Sequence, residues 1–125
     1  MFLEVLTVGM LATNCYILAP GQGSPAVVID PAGEIRGIVS RLQRAGLDCR
    51  GILCTHGHVD HVAGAGPLSE AVDAPVYIPE ADASALASPR TQLIGLAGGV
   101  LATRPRRVLH MDEGDEIEVG GLSLR

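Results

Sequence analysis

A chain of 125 residues with 47% apolar side chains is long enough for one domain with a buried core, and this composition excludes a disordered segment. The formal charge of -5 argues against nucleic acid as a partner, because phosphate binding relies on clustered positive charge. Aromatics are limited to Phe2, Tyr16 and Tyr77, so Val, Ile, Leu and Ala must fill the core.

The single basic cluster, Arg104-Pro105-Arg106-Arg107, reads as a solvated loop. The segment Met1-Phe2-Leu3-Glu4 lacks a positive n-region and places a carboxylate where a signal peptide is apolar. The longest apolar run, Leu93 to Ala102, is broken by glycines and too short to span a bilayer, so a cytoplasmic protein without a membrane partner is expected. Three cysteines without a CxxC pair make no disulfide framework. Cys54 stands two residues before a histidine run, close enough to join a metal site, but Gly51, Ile52 and Leu53 before it read as core strand. Cys54 is therefore taken as a buried strand cysteine, as are Cys15 and Cys49.

Along the chain, Phe2 to Val8 and Cys15 to Ala19 read as short strands, with residues 9–14 as a turn or the start of the second. Pro20 to Pro25 is dense in turn formers. Ala26-Val27-Val28-Ile29 is a continuous run suited to a strand buried on both faces, closed by Asp30-Pro31-Ala32-Gly33. From Glu34 to Ala45 the period changes: Ile35, Ile38, Val39, Leu42 and Ala45 recur at helical spacing, with Arg36, Arg41, Gln43 and Arg44 opposite and Gly46 as a stop. Gly51 to Cys54 reads as a core strand, Val62 to Val72 as a helix with Pro67 near its start, and Ala74 to Ile78 as a strand. A short helix is predicted over 81–87, and residues 88–103 fit either a helix at an interface or a lid. Val108 to Met111 and Ile117 to Leu124 read as strands flanking the turn Asp112-Glu113-Gly114-Asp115. The alternation of strand and helix predicts an α/β layered sheet.

Three of the four histidines fall within Thr55-His56-Gly57-His58-Val59-Asp60-His61. Imidazole and carboxylate are the ordinary ligands of zinc, and of iron or manganese. In an extended segment His56 and His58 project to the same side and can grip one ion. If the chain then turns into a helix, Asp60 and His61 swing towards a second. Two ions about 3.5–4 Å apart share a water, lower its pKa and hold a substrate oxygen against it. Ligands at the carboxyl end of a core strand also lie in the usual crevice of an α/β sheet. Gly57, Gly64 and Gly66 are expected to permit tight turns around the ions. A histidine-rich surface loop is the competing explanation, and it does not account for the carboxylate or the preceding apolar strand. His110 stands alone and reads as structural.

H-x-H-x-D-H as it stands in His56 to His61 resembles the signature of the metallo-β-lactamase-fold hydrolases. Thr13-Asn14-Cys15-Tyr16-Ile17-Leu18, Val28 to Gly33, Gly51 to Thr55, and Gly114-Asp115 before Ile117 are similar to the glyoxalase II-like branch, the hydroxyacylglutathione hydrolases and their small relatives. The resemblance implies an αβ/βα sandwich and hydrolysis of a thioester or ester by a metal-bridged hydroxide. It makes His56 and His58 ligands of the first metal and Asp60 and His61 of the second, with Asp60 also placing the hydroxide. Two zinc ions per complete site are implied, iron or manganese being the alternatives. Asp30 falls in an acidic loop near the family's site and reads here as a strand-terminating turn, not a direct ligand.

The family also uses a further His, a bridging Asp and a last His, on loops after the strand near Leu124; His110 comes too early to replace them. The 125 residues are therefore expected to be the N-terminal part of a single domain. Alone, such a part leaves an apolar sheet face and a strand edge open, which predicts a homo-oligomer or an unstable chain; a cooperatively melting monomer would count against this. Two other readings stand beside the hydrolase: a mononuclear iron persulfide dioxygenase of the same fold, and a non-catalytic metal-binding module.

Overall fold

The computed structural model describes residues 2–8, 13–21, 23–31, 33–55, 64–79, 108–110, 117–119 and 122–124. The helix predicted over 81–87, residues 88–103 and the turn 112–115 lie outside them.

Among the described residues, six strands form one sheet in the order β1-β2-β3-β4-β5-β6: Phe2–Val8, Thr13–Ala19, Pro25–Ile29, Asp48–Leu53, Val76–Ile78 and Val108–His110. The first two pairings are antiparallel and the next three parallel. Helix α1 (Ile35–Arg44) connects β3 to β4, and α2 (Ala65–Val72) precedes β5. Strands β7 (Ile117–Val119) and β8 (Leu122–Leu124) make a separate antiparallel pair.

The two faces of the large sheet differ. Cys15, Ile17, Ala26, Val28, Ile52, Cys54, Val76 and Ile78 are buried in one cluster with Ile38 and Leu42 of α1 and Leu68 of α2. On the other face Val27 and Leu53 are buried among Leu18, Ile29 and Tyr77. The strand register extends that second face outward, pairing Leu3 with Leu18 and Tyr77 with Leu109. There Leu3 and Leu109 are 60% and 46% exposed.

Helix α1 follows its apolar stripe, burying Ile38 and Leu42 and half-burying Ile35 and Val39. Its stop has the predicted residue. Gly46 takes φ 66, its N–H donates to Gln43 O, and Leu47 N–H donates to Leu42 O at 2.9 Å. Those crossed bonds satisfy the last carbonyls of the helix, and the left-handed step they require is the one glycine makes without a side-chain penalty.

Three elements differ from expectation by more than two residues. Strand β4 begins at Asp48, not Gly51, its first N–H donating to Ser24 O. Its amino end alternates exposed, buried, exposed over Asp48, Cys49 and Arg50, the half-buried strand pattern, whereas Gly51 to Leu53 are buried throughout. Helix α2 begins at Ala65, with Gly64 as its N-terminal cap. The single strand expected over Ile117 to Leu124 is a hairpin, with Gly120-Gly121 between its two arms in the sequence.

Candidate functional site

Strands β3 to β6 run parallel, so their carboxyl ends share one edge of the sheet. Asp30 follows β3 there, Cys54 and Thr55 follow β4, Pro79 follows β5, and His110 ends β6 opposite Ile78. The backbone ties two of these exits to their neighbours: Asp30 N–H donates to Leu53 O and Cys54 N–H to Tyr77 O, both at 2.8 Å. The edge is thus fixed up to the residue before His56. His56, His58, Asp60 and His61 themselves lie outside the described residues, as does Gly57.

Asp30 is the described side chain with the most to say about this edge. It is 4% exposed and takes a left-handed backbone, φ 56, which Asp tolerates better than most residues. From there both carboxylate oxygens reach Thr55, 25 residues on. Oδ1 accepts from the Thr55 N–H and Oδ2 from the Thr55 hydroxyl, each at 2.8 Å. Hydrogen bonds to an ionised acceptor contribute about 1.5–3 kcal/mol each, and a carboxylate this deep is otherwise costly to bury. Asp30 therefore does more than end a strand: it fastens the exit of β4. No spacing in the sequence reports this pairing, because its two halves belong to different strands.

Glycine 64 closes the other side. Its φ is an ordinary -94, so conformational freedom is not what the position requires. Space is. A Cβ there would sit inside contact distance of Pro31 O, 2.8 Å from Ile35 Cδ1 and 3.0 Å from Gly33 N. Gly66, expected at a turn, lies buried in the first turn of α2.

The cysteines are core residues. All three are free and buried, and Cys54 is fully enclosed on the helix-covered face. Burial, reinforced by the charge of Asp30, pushes the Cys15 thiol from 9.0 up to about 12. Burial raises Cys49 to about 11 against a lowering backbone hydrogen bond at Gly51, and drives Cys54 upward as well. A native thiol that titrates above its unfolded value holds its proton longer than the unfolded chain does. The stabilisation this gives is complete below about pH 9 and is lost as pH rises through about 11 to 12. Urea melts at about pH 8 and about pH 10.5 should show the lower midpoint at the higher pH, and equal midpoints would contradict it. Among the described residues no three His, Cys, Asp or Glu side chains gather as a metal site. His110 is exposed at the end of β6. No helix among the described residues is long and apolar enough to cross a membrane.

Comparison with known proteins fits this architecture. Residues 8–125 match the family model described as Metallo-beta-lactamase superfamily. The chain is 35% identical over 122 residues to uncharacterized protein Rv2581c of Mycobacterium tuberculosis, covering 93% of this chain and 54% of that one. It is 33% identical over 116 residues to a probable polyketide biosynthesis zinc-dependent hydrolase, BaeB, of Bacillus velezensis, covering 93% and 45%. A shorter stretch of 65 residues is 40% identical to hydroxyacylglutathione hydrolase of Bdellovibrio bacteriovorus, covering 52% and 26%. Among solved structures, TTHA1623 in a di-iron-bound form superposes with a TM-score of 0.73 at 34% identity, covering 91% of this chain and 56% of that one. The chain spans about half the length of the curated relatives it matches. With the match running from the end of β1 to Arg125, and the mixed sheet delivering its parallel strand ends to one edge, the chain belongs to the metallo-beta-lactamase superfamily.

Proposed function

We propose that the protein is a metal-dependent hydrolase that cleaves a thioester or related ester of the hydroxyacylglutathione type, with His56, His58, Asp60 and His61 as metal ligands. The observation that carries this reading is the placement of H-x-H-x-D-H. It starts one peptide bond after Thr55, at a strand end that Asp30 fastens to the carboxyl edge of the sheet. Three imidazoles and a carboxylate within six residues form a donor set suited to zinc, and equally to iron or manganese. The relative named as zinc-dependent and the neighbour named as di-iron support metal binding from both sides of that choice. The partial match to hydroxyacylglutathione hydrolase supports the thioester.

When bound, a metal pair supplies Lewis acidity that lowers the pKa of water and polarises a carbonyl. The chain's own contribution is positional. The histidines hold the ligand set, and the Asp60 carboxylate accepts the proton of the attacking water. The remaining ligands belong, in this proposal, to a longer domain of which these residues are the N-terminal part. The test is metal analysis of the purified protein and hydrolysis of a hydroxyacyl thioester of glutathione, before and after chelation. Zinc-restorable hydrolysis is expected. One iron per chain with consumption of oxygen on a persulfide would replace this reading with the dioxygenase, and a metal-loaded protein inert towards thioesters and esters would overturn the substrate class.

A further inference from the structure

Strand β1 is one edge of the six-stranded sheet, and among the described residues it pairs with β2 alone. An edge strand carries a row of backbone N–H and C=O groups turned away from its neighbour, a template for another strand. Proteins ordinarily blunt such an edge with proline, lysine, a bulge or a very short strand. Phe2–Val8 has none of these: it contains no Pro or Lys, and its seven residues pair with β2 without a break in register. The opposite edge, β6, is three residues long. Leu3 and Val5 are each more than half exposed and share one face of the sheet, in register with Leu18 and Tyr16. The single charged side chain on the strand, Glu4, is engaged by Arg41 of α1.

We propose that two copies of this chain associate through β1, antiparallel about a two-fold axis at Val5, so that the sheet of one copy continues into the other. Self-complementarity argues for a second copy over an unlike strand. Residues opposite each other in a ladder point to the same face, so a two-fold axis perpendicular to the sheet must pass through a residue. Centred on Val5, the middle of the seven, it overlaps the whole strand: Val5 faces Val5, Leu3 faces Thr7, and Glu4 faces Leu6. Centred on Glu4 it would set two carboxylates against each other, and centred on Leu6 it would shorten the ladder. In the Val5-centred register the exposed Leu3 and Val5 of both copies come side by side, which removes apolar surface from water. Glu4 meets Leu6 with its charge already answered by Arg41, so the seam carries no like-charge pair. One strand edge is a small interface, and a weak, reversible dimer is expected.

Sedimentation velocity of the whole protein, from low to high micromolar concentration, should show a monomer–dimer equilibrium. Val5→Lys sets two ammonium groups on the axis and should weaken the dimer by about 10-fold or more, whereas Val5→Thr keeps it. Leu109→Lys alters the same face at the far edge of the sheet and should leave dimerisation unchanged. Thermal melts establish that each variant is folded. Val5→Cys adds an exposed thiol to a chain whose three cysteines are buried, so a short bismaleimide should join two copies there and not in Leu109→Cys. A wild-type protein that stays monomeric throughout would overturn the proposal. So would a dimer lost in Leu109→Lys but kept in Val5→Lys, which marks stacking of sheet faces, or association that passes straight to large aggregates. If Val5→Lys does not fold, the cross-link decides: a covalent Val5→Cys dimer supports pairing through β1, and its absence overturns it.

Discussion

Asp60→Asn is expected to lower hydrolysis of the thioester substrate by about 10²–10⁴-fold, the range typical of losing a positioned proton acceptor. Asparagine has the size and shape of aspartate and keeps one oxygen able to face a cation. It lacks the charge and cannot take up a proton near neutral pH. The substitution therefore separates proton transfer from side-chain volume. Turnover should be measured with zinc in excess, so that weakened metal binding does not masquerade as lost chemistry, and beside a thermal melt of the same preparation. Activity within about threefold of wild type at unchanged melting temperature would remove Asp60 from its proposed role. His56→Ala provides the contrast: it should lose bound metal and activity together, whatever Asp60 does.

Gly64→Ala is the second large expected effect, and it acts on stability. At the N-cap of α2 glycine is already preferred to alanine, so capping alone predicts a modest loss. Packing adds a larger one. The new methyl meets the Pro31 carbonyl and the Gly33 nitrogen, both backbone atoms of a buried loop, and the Ile35 side chain gives way only at the expense of the core. Overpacking of this kind costs typically 1–3 kcal/mol, and the upper end, about 3 kcal/mol, is expected where backbone must move. For a domain of this size that is a fall in melting temperature on the order of 10 °C. A melting temperature within about 2 °C of wild type would show that the α2 entry shifts freely.

The parts of the fold that could be read in advance are those whose signal is local. Helix α1 announces itself in Ile35, Ile38, Val39 and Leu42, and its end in Gly46. Strand β3 is legible as Ala26 to Ile29 because both of its faces are covered. The amino end of β4 was missed because Asp48 and Arg50 are charged; the alternation that marks a half-buried strand is carried there by Cys49 alone. The β7–β8 hairpin is not legible as two strands because apolar residues run on either side of Gly120-Gly121 and obscure the turn signal of that pair. At the site, the donor residues are legible as a cluster, since four of six consecutive positions carry them. Their support is not. The Asp30–Thr55 pair spans 25 residues, and the demand at Gly64 comes from Pro31 and Gly33 across space. A glycine in sequence suggests freedom of rotation; here the requirement is the absence of a side chain.

The order of the Asp30–Thr55 pair along the chain has a consequence for how the protein is made. Synthesis runs from the N-terminus, and domains begin to fold as they emerge. Strands β2 and β3 each pair with the strand before them, α1 follows at once, and the loop bearing Asp30 and Gly33 sits between β3 and α1. That loop leaves the ribosome before Thr55 and well before the histidines. Asp30 is thus translated 25 residues ahead of Thr55, so the end of β4 emerges to meet a partner that is already synthesised.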